Sequence, residues 1–326
     1  MATLVTGGTG FVGANIVKEL AARGHDVVSL DVLPVDELLL GFMGELAERV
    51  TFVHGDILDA AALDALRSSH SFEKIVHAAV FTVNRTDLET ARSKDILDIN
   101  LTGTGNLLEM ARLCDVQRFV YISSGAAYGL CRDPDQTYNE DDAPQPGNLY
   151  GITKFASELL ARRYGELHGF STVSLRLSTP YGPMERVTGH RGNMSTPYQW
   201  TGQLLRGEPI ESNDSDHGRD YTYVLDTASA VATVVDADRL PHDLYNVTNG
   251  MPVTEGQIQR TLAELFPETR IVEPTRDDSE ASSLGPTRGP LSGYRLWHDL
   301  GWTPQYDLAE GLTDYVRWRQ ESGFLN

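Results

Sequence analysis

Short, almost wholly apolar runs alternate with stretches of helical periodicity through the first half of the chain. The runs fall at Thr3–Thr6, Asp26–Leu30, Val50–His54, Lys74–Ala78, Arg118–Ile122 and Thr172–Leu177. Helix-like segments separate most of them, at Val12–Arg23, Ala60–Arg67, Ile99–Leu113 and Tyr150–His168, and the apolar Leu33–Ala47 reads as a further helix. Strands alternating with helices predict parallel pairing through right-handed crossovers. The runs lack the in–out alternation of a half-exposed strand, as expected when helices cover both faces of a sheet.

Beyond Leu177 the rhythm changes. Pro180–Gly192, rich in Pro, Gly and charge, reads as a loop, Thr196–Arg206 as a helix, Arg219–Val224 as a strand and Thr227–Asp236 as an Ala/Val-rich helix. Thr254 with Gln257 three residues later is a capping-box pattern opening a helix that runs to Leu265. Arg276–Pro290 reads as a surface loop and Leu308–Glu321 as a final amphipathic helix. The pattern predicts an α/β protein: a doubly wound parallel sheet of the Rossmann type with a smaller mixed α/β C-terminal substrate lobe. Residues 1–178, rejoined by 213–240, are expected to form the first unit, and 179–326 the second.

Length and composition narrow the classes. With 326 residues, 40% hydrophobic and 22% charged, the chain can bury a large core. Its 46 acidic against 27 basic residues give a formal net charge of -19, which disfavours nucleic acid or an anionic membrane as the main partner. Two cysteines, Cys114 and Cys131, exclude a disulfide framework and a cysteine-based zinc cluster, and the nine histidines show no ligand spacing, so no metal is expected. The N-terminus lacks the features of a signal peptide and no stretch is long enough to span a bilayer, so a soluble cytoplasmic protein is expected.

The strongest local signal is Thr6-Gly7-Gly8-Thr9-Gly10-Phe11-Val12-Gly13, placed between the first strand and the first helix. Gly7 allows a tight turn, Gly10 lets backbone approach a pyrophosphate, and Gly13 lets helix and strand pack closely. Phosphates then meet the free amides of a helix N-terminus. Asp31 ends the second strand eighteen residues after Gly13, where a carboxylate bonds ribose hydroxyls and repels a 2′-phosphate, which favours NAD over NADP. Asp56, after the third strand, stands where a side chain reaches an adenine amino group. Ser123-Ser124 ends the fifth strand, and Tyr150 and Lys154 share one face of the next helix at i and i+4. A neighbouring ammonium lowers a phenol pKa, which makes tyrosinate a usable base.

These residues resemble the extended short-chain dehydrogenase/reductases, the NAD-dependent epimerase/dehydratase family. The resemblance includes Thr6–Gly13, Asp31, Gly55-Asp56-Ile57, His77-Ala78-Ala79, Asn100, Tyr121–Ser124, Tyr150-x-x-x-Lys154 and Leu175-Arg176-Leu177 with Tyr181-Gly182-Pro183. It continues through Arg219-Asp220-Tyr221, Asp226 and Leu300-Gly301-Trp302-x-Pro304. It implies Tyr150 as base, Lys154 as pKa depressor and ribose clamp, and Ser124 as partner of the reacting oxygen. It also implies Gly7, Gly10, Phe11, Val12, Gly13, Asp31, Asp56, Ile57, Ala78, Ala79, Asn100, Tyr150 and Lys154 around NAD. His77, at a strand end, reads as packed beside the cofactor rather than metal-binding. Ser124, Asn193 and Arg219 are the residues implied for substrate, and Arg276 or Arg288 for a second diphosphate contact. A homodimer built on helices Ile99–Leu113 and Tyr150–His168 is a further family-level expectation.

Ser124-Gly125-Ala126-Ala127-Tyr128 is similar to the 4-epimerase version of the family. Dehydratases place an Asp-Glu pair after the Ser/Thr, and Gly125 and Ala126 leave water elimination without its proton donor and acceptor. The preferred reading is NAD-dependent epimerisation of a nucleotide-sugar at C4, by hydride removal and return. Pro209–Asn213 holds no aromatic residue to stack a base. That segment favours the alternative, a dehydrogenase or reductase of a free sugar, sugar acid or other small hydroxy or keto compound. A non-catalytic NAD-binding protein is the third reading.

Overall fold

A computed structural model describes residues 1–83, 85–129, 136–191, 194–211, 218–272 and 289–325. The strands are β1 (Ala2–Thr6), β2 (Val27–Asp31), β3 (Val50–His54), β4 (Phe72–His77), β5 (Arg118–Ser124), β6 (Ser171–Leu177), β7 (Thr179–Tyr181), β8 (Ile210–Glu211), β9 (Arg219–Tyr223), β10 (Leu244–Val247), β11 (Pro252–Val253) and β12 (Ile271–Val272). The helices are α1 (Phe11–Ala22), α2 (Glu37–Met43), α3 (Ala60–Ser69), α4 (Thr86–Ala91), α5 (Ser93–Leu97), α6 (Gly103–Leu113), α7 (Leu149–His168), α8 (Thr196–Leu205), α9 (Val224–Asp236), α10 (Glu255–Leu265), α11 (Tyr294–Leu300) and α12 (Leu308–Ser322).

Seven strands form one sheet in the order β10-β6-β5-β4-β1-β2-β3, with every neighbour parallel. The buried strands β1, β2, β5 and β6 are sandwiched by helices, which accounts for their apolar runs. After β1 the chain winds toward β2 and β3, and after β4 toward β5 and β6. The two directions part between β1 and β4, and a crevice opens at the carboxyl ends of those strands. A mixed sheet, β11-β9-β7, lies beyond, with β9 parallel to β7 and antiparallel to β11, and β12 pairs with β8. The doubly wound sheet with a smaller mixed lobe matches the architecture expected from the pattern.

Several boundaries differ from the pattern. The Leu33–Ala47 stretch divides: Asp36 caps α2 by accepting from Leu39 N at 2.9 Å, and Gly44 at φ +56 ends it before a 3-10 turn, Gly44–Arg49. The Ile99–Leu113 helix begins as one π-helical turn, Asp98–Thr102, that continues α5. That turn widens where the Asn100 carbonyl accepts the hydroxyls of Thr104 and Ser157, at 2.7 and 3.0 Å. The Pro180–Gly192 segment opens with part of β7, and β10 extends the main sheet beyond β6. Both strands are too short to show periodicity. The Thr254 capping box is present. Most of Arg276–Pro290, with Cys131 and Asn193, lies outside the described residues. No described helix is long and apolar enough to cross a membrane.

α9 returns to the main sheet and packs on α1. Arg23 reaches Asp236 at 3.1 Å and the Ser229 carbonyl at 3.2 Å. Arg118 of β5 places one nitrogen on the carbonyls of Val234, Val235 and Ala237, at 2.8, 3.2 and 2.6 Å. A guanidinium there satisfies the open end of α9 and complements its dipole.

His77 is not a crevice residue. Its ring is buried, with Nδ1 2.7 Å from Thr6 Oγ1 and Nε2 3.0 Å from Thr104 Oγ1, and it joins β4 to β1 and α6. Burial first, and the Lys154 charge second, push its pKa from 6.5 down to about 3. The unfolded chain therefore binds a proton that the folded chain refuses between these values. Stability from this residue is complete above pH 6.5 and is lost as pH falls toward 3. Urea unfolding from pH 6 to 4 will show wild type losing about 1.4 kcal/mol per pH unit more than His77→Gln. Parallel slopes for the two proteins would remove this account.

Candidate active site

The turn after β1 is a backbone device. Gly7 sits at φ +71, and a Cβ there would lie 2.7 Å from Ala79 N. A Cβ on Gly13 would lie 2.0 Å from the Gly7 carbonyl oxygen. The chain after β4 and the first turn of α1 thus close on Gly7 to distances only glycine permits. Gly10 is the N-cap of α1 and no side chain caps the helix. The amides of the first turn, at Phe11, Val12 and Gly13, have no partner within the helix and give the crevice a partial positive charge.

A cavity of about 370 Å3 runs along this end of the sheet. Gly7, Gly10, Phe11, Val12 and Gly13 line it, together with Ala78, Ala79, Asp31, Asp56 and Ile57. Asp31 is 9% exposed; its Oδ2 accepts from Thr9 N and its Oδ1 from Leu33 N, both at 3.0 Å. Those bonds hold the carboxylate still and leave each oxygen a further lone pair. Asp56 Oδ1 accepts from Leu58 N at 2.9 Å. A glycine cradle, uncapped amides and an acidic residue at the end of β2 fit a dinucleotide. Arg186 and Arg191 also line the cavity. They belong to the Pro- and Gly-rich segment whose sequence signals only a loop.

Asn100 is buried behind this wall. Its Oδ1 accepts from Phe81 N at 2.8 Å, and its Nδ2 donates to Phe81 O at 3.2 Å and to Thr153 Oγ1 at 3.1 Å. The side chain therefore ties the strand-end segment after β4 to α7.

Asn148 caps α7 by accepting from Gly151 N at 2.8 Å, which sets Tyr150 in the first turn. A Cβ on Gly151 would lie 2.6 Å from Ala126 O, so the start of α7 presses on the turn Gly125–Tyr128 that follows β5. That contact brings the Ser124 and Tyr150 segments together. Ser124 Oγ accepts from Ala126 N at 3.1 Å, and its own proton remains to be donated. Lys154 Nζ donates to Ile122 O at 2.6 Å and lies 5.9 Å from the Tyr150 ring centre and 4.8 Å from that of Tyr121. Burial lowers the Lys154 pKa to about 7, against the opposing pull of Glu158.

Glu158 lies one turn beyond Lys154 on α7 and is 4% exposed; Arg176 of β6 is 2% exposed. Arg176 Nε and Nη2 reach the two Glu158 oxygens at 3.0 and 2.7 Å, and Ser123 Oγ donates to Oε1 at 2.5 Å. The Arg176 guanidinium stacks 4.4 Å from the Tyr128 ring centre. A bidentate buried pair of this kind orients α7 against β5 and β6.

In the mixed sheet, Arg219 begins β9 with Tyr221 and Glu255 in its field. Its neighbours in sequence have structural work. Asp220 accepts from Thr248 Oγ1 at 2.6 and 2.7 Å and from Leu291 N at 2.9 Å. Asp226 accepts from Gln305 N at 2.7 Å and Tyr306 N at 3.1 Å. Asn193, Arg276 and Arg288 fall outside the described residues. Among the described residues no His, Cys, Asp and Glu group is arranged to hold a metal.

A model of the NAD dependent epimerase/dehydratase family matches residues 3–248, and the chain belongs to that family. It is 30% identical over 328 residues to a putative UDP-glucose 4-epimerase of Methanocaldococcus jannaschii, covering 98% of each chain. Among solved structures it is similar to a UDP-glucose 4-epimerase of Thermotoga maritima crystallised with UDP-glucose, with a TM-score of 0.82 and 25% identity over 99% of both chains. A UDP-glucose 4-epimerase of Thermus thermophilus in complex with NAD gives a TM-score of 0.80 and 26% identity, covering 98% of this chain and 99% of that one.

Removing one partner of the Glu158–Arg176 pair leaves a buried charge uncompensated. Arg176→Met will lower unfolding stability by about 3–5 kcal/mol in urea, and the double variant Glu158→Leu/Arg176→Met by clearly less. A double variant as unstable as the single one would show that packing, not charge pairing, is what the arginine supplies.

Proposed function

We propose that this protein is an NAD-dependent 4-epimerase of a nucleotide-sugar, with Tyr150 as its base. The observation that carries the reading is the meeting of the Ser124 turn with the Tyr150–Lys154 face of α7, beside a crevice suited to a dinucleotide. NAD, which the Gly7–Gly13 turn and Asp31 would hold, would supply a reversible hydride acceptor for the carbon that bears the reacting hydroxyl, with return to the opposite face of the sugar. Tyr150 Oη takes the hydroxyl proton and gives it back. The Lys154 ammonium favours the phenolate and holds the ribose, and the Ser124 hydroxyl donates to the oxygen as negative charge grows on it. The turn Gly125–Ala127 carries no carboxylate, which supports epimerisation over water elimination. Around the coenzyme we assign the turn and helix start Gly7–Gly13, Asp31, Asp56, Ile57, Ala78, Ala79 and Asn100, with Arg219 assigned to the substrate. Residues 1–178 with the returning segment 213–240 would carry the coenzyme, and 179–326 would close over the sugar.

The outer face of α7 exposes Ile152, Leu159 and Leu160 at 43%, 46% and 39%. A second copy of the chain is the partner proposed for it, through a helical interface with α6.

Pro209–Asn213 contains no aromatic residue to stack a base, and Ile210 is fully buried. This favours the second reading, oxidation or reduction of a non-nucleotide sugar.

Purified protein will interconvert the C4 epimers of at least one UDP-, dTDP- or GDP-hexose without net NADH. Tyr150→Phe will lower kcat about 10²- to 10⁴-fold with the fold intact by circular dichroism. Net NADH formation on a free sugar, with no epimerisation of any nucleotide-sugar, would replace the first reading by the second. Light scattering at micromolar concentration will give the mass of a dimer, and Leu159→Glu will give a monomer. A wild-type monomer would end the assignment of this face.

A further inference from the structure

The cavity has a roof supplied by the chain between β7 and α8. The segment from Gly182 to Arg191 is held at three points. Asn15 of α1 donates to Pro183 O at 2.9 Å, and Thr82 N donates to His190 O at 2.8 Å. Between them, the buried Glu185 carboxylate accepts from Ser195 N and Ser195 Oγ, both at 2.7 Å, and from Arg191 at 2.8 Å. The segment is thus fastened both to α1 and to the strand-end segment after β4.

Two guanidiniums descend from this roof onto one place. Arg186 donates to the Thr9 carbonyl at 3.2 Å and pairs with Asp36. Its Nε is buried and lacks a hydrogen-bond partner among the described residues. The Arg191 guanidinium lies 5.0 Å from the centre of the Phe11 ring. Thr9 and Phe11 flank Gly10, the N-cap of α1. A diphosphate seated on the α1 amides meets a helix end worth about half a charge. The other titratable groups on the cavity wall include Asp31 and Asp56. The two arginines supply the countercharge that the helix alone does not.

We propose that Arg186 and Arg191 form an anion clamp on the coenzyme's diphosphate, so that retention of the coenzyme depends on a segment of the C-terminal half. The inference rests on the coenzyme reading above. Arginine has the donors for such a clamp. Arg186 presents five, of which Thr9 and Asp36 leave others for a phosphate oxygen.

The test compares wild type with Arg186→Gln, Arg191→Gln and Arg191→Lys. Kd values are measured by calorimetry for ADP-ribose, which carries the diphosphate, and for adenosine, which lacks it. The NAD that stays with each protein through gel filtration is measured as well. Each Gln variant will bind ADP-ribose about tenfold more weakly, as expected for one lost charge-assisted bond, while adenosine binding changes less than twofold. Arg191→Lys keeps the charge beside Glu185, and it will retain part of the ADP-ribose affinity even where Arg191→Gln folds poorly. Equal weakening toward both ligands, or unchanged ADP-ribose affinity in both Gln variants, would overturn the clamp. Wild-type protein that binds neither ADP-ribose nor NAD would overturn the coenzyme reading itself, a different result from normal wild-type binding with unaffected variants.

Discussion

The structure depends on how closely three stretches of backbone meet at Gly7. The chain leaving β1 must turn under the segment leaving β4 and over the first turn of α1. A single methyl group at Gly7 or Gly13 would strike main-chain atoms that cannot move aside. This contact fixes α1 so that its uncapped end opens at the point where the two halves of the sheet diverge. The crevice, the placement of Asp31 and the reach of the C-terminal segment all follow from that geometry. Side chains elsewhere decorate a cavity that the backbone has already made.

The other half of the site rests on buried charge. Lys154, Glu158 and Arg176 lie behind Tyr150, with Ser123 and Tyr128 completing their contacts. Such a cluster is no economical way to stabilise a fold, since apolar replacements of similar volume often do as well. Its effect is orientation. The bidentate pair fixes the rotation of α7 about its axis, and Asn148 and the Gly151–Ala126 approach fix where the helix begins. The role proposed for Tyr150 as a base needs both constraints.

Much of this was legible in the sequence, for reasons that differ by element. The strand–turn–helix from Thr6 to Gly13 is local, so glycine spacing reports it directly. Tyr150 and Lys154 share a helix face, and the 3.6-residue period suffices to pair them. The long buried strands announce themselves by unbroken apolar runs. The misses are tertiary. β7 and β10 are strands only because neighbours offer ladders to short segments. Leu33–Ala47 has helical composition, yet Gly44 takes a left-handed turn within it. The Glu158–Arg176 pair joins residues on different elements, and Arg186 reaches the nucleotide turn from a distant loop. His77 carries a motif position whose side chain serves the architecture behind the crevice wall.

Asp226 has a consequence for how the chain is made. The amides that satisfy its carboxylate lie 79 and 80 residues further along. During synthesis α9 can form and lie against α1 while that carboxylate is still hydrated, and it acquires its partners only when nearly all of the polypeptide has left the ribosome. The tie between α9 and the segment that leads into α12 therefore cannot form before residues 305 and 306 are present to supply it.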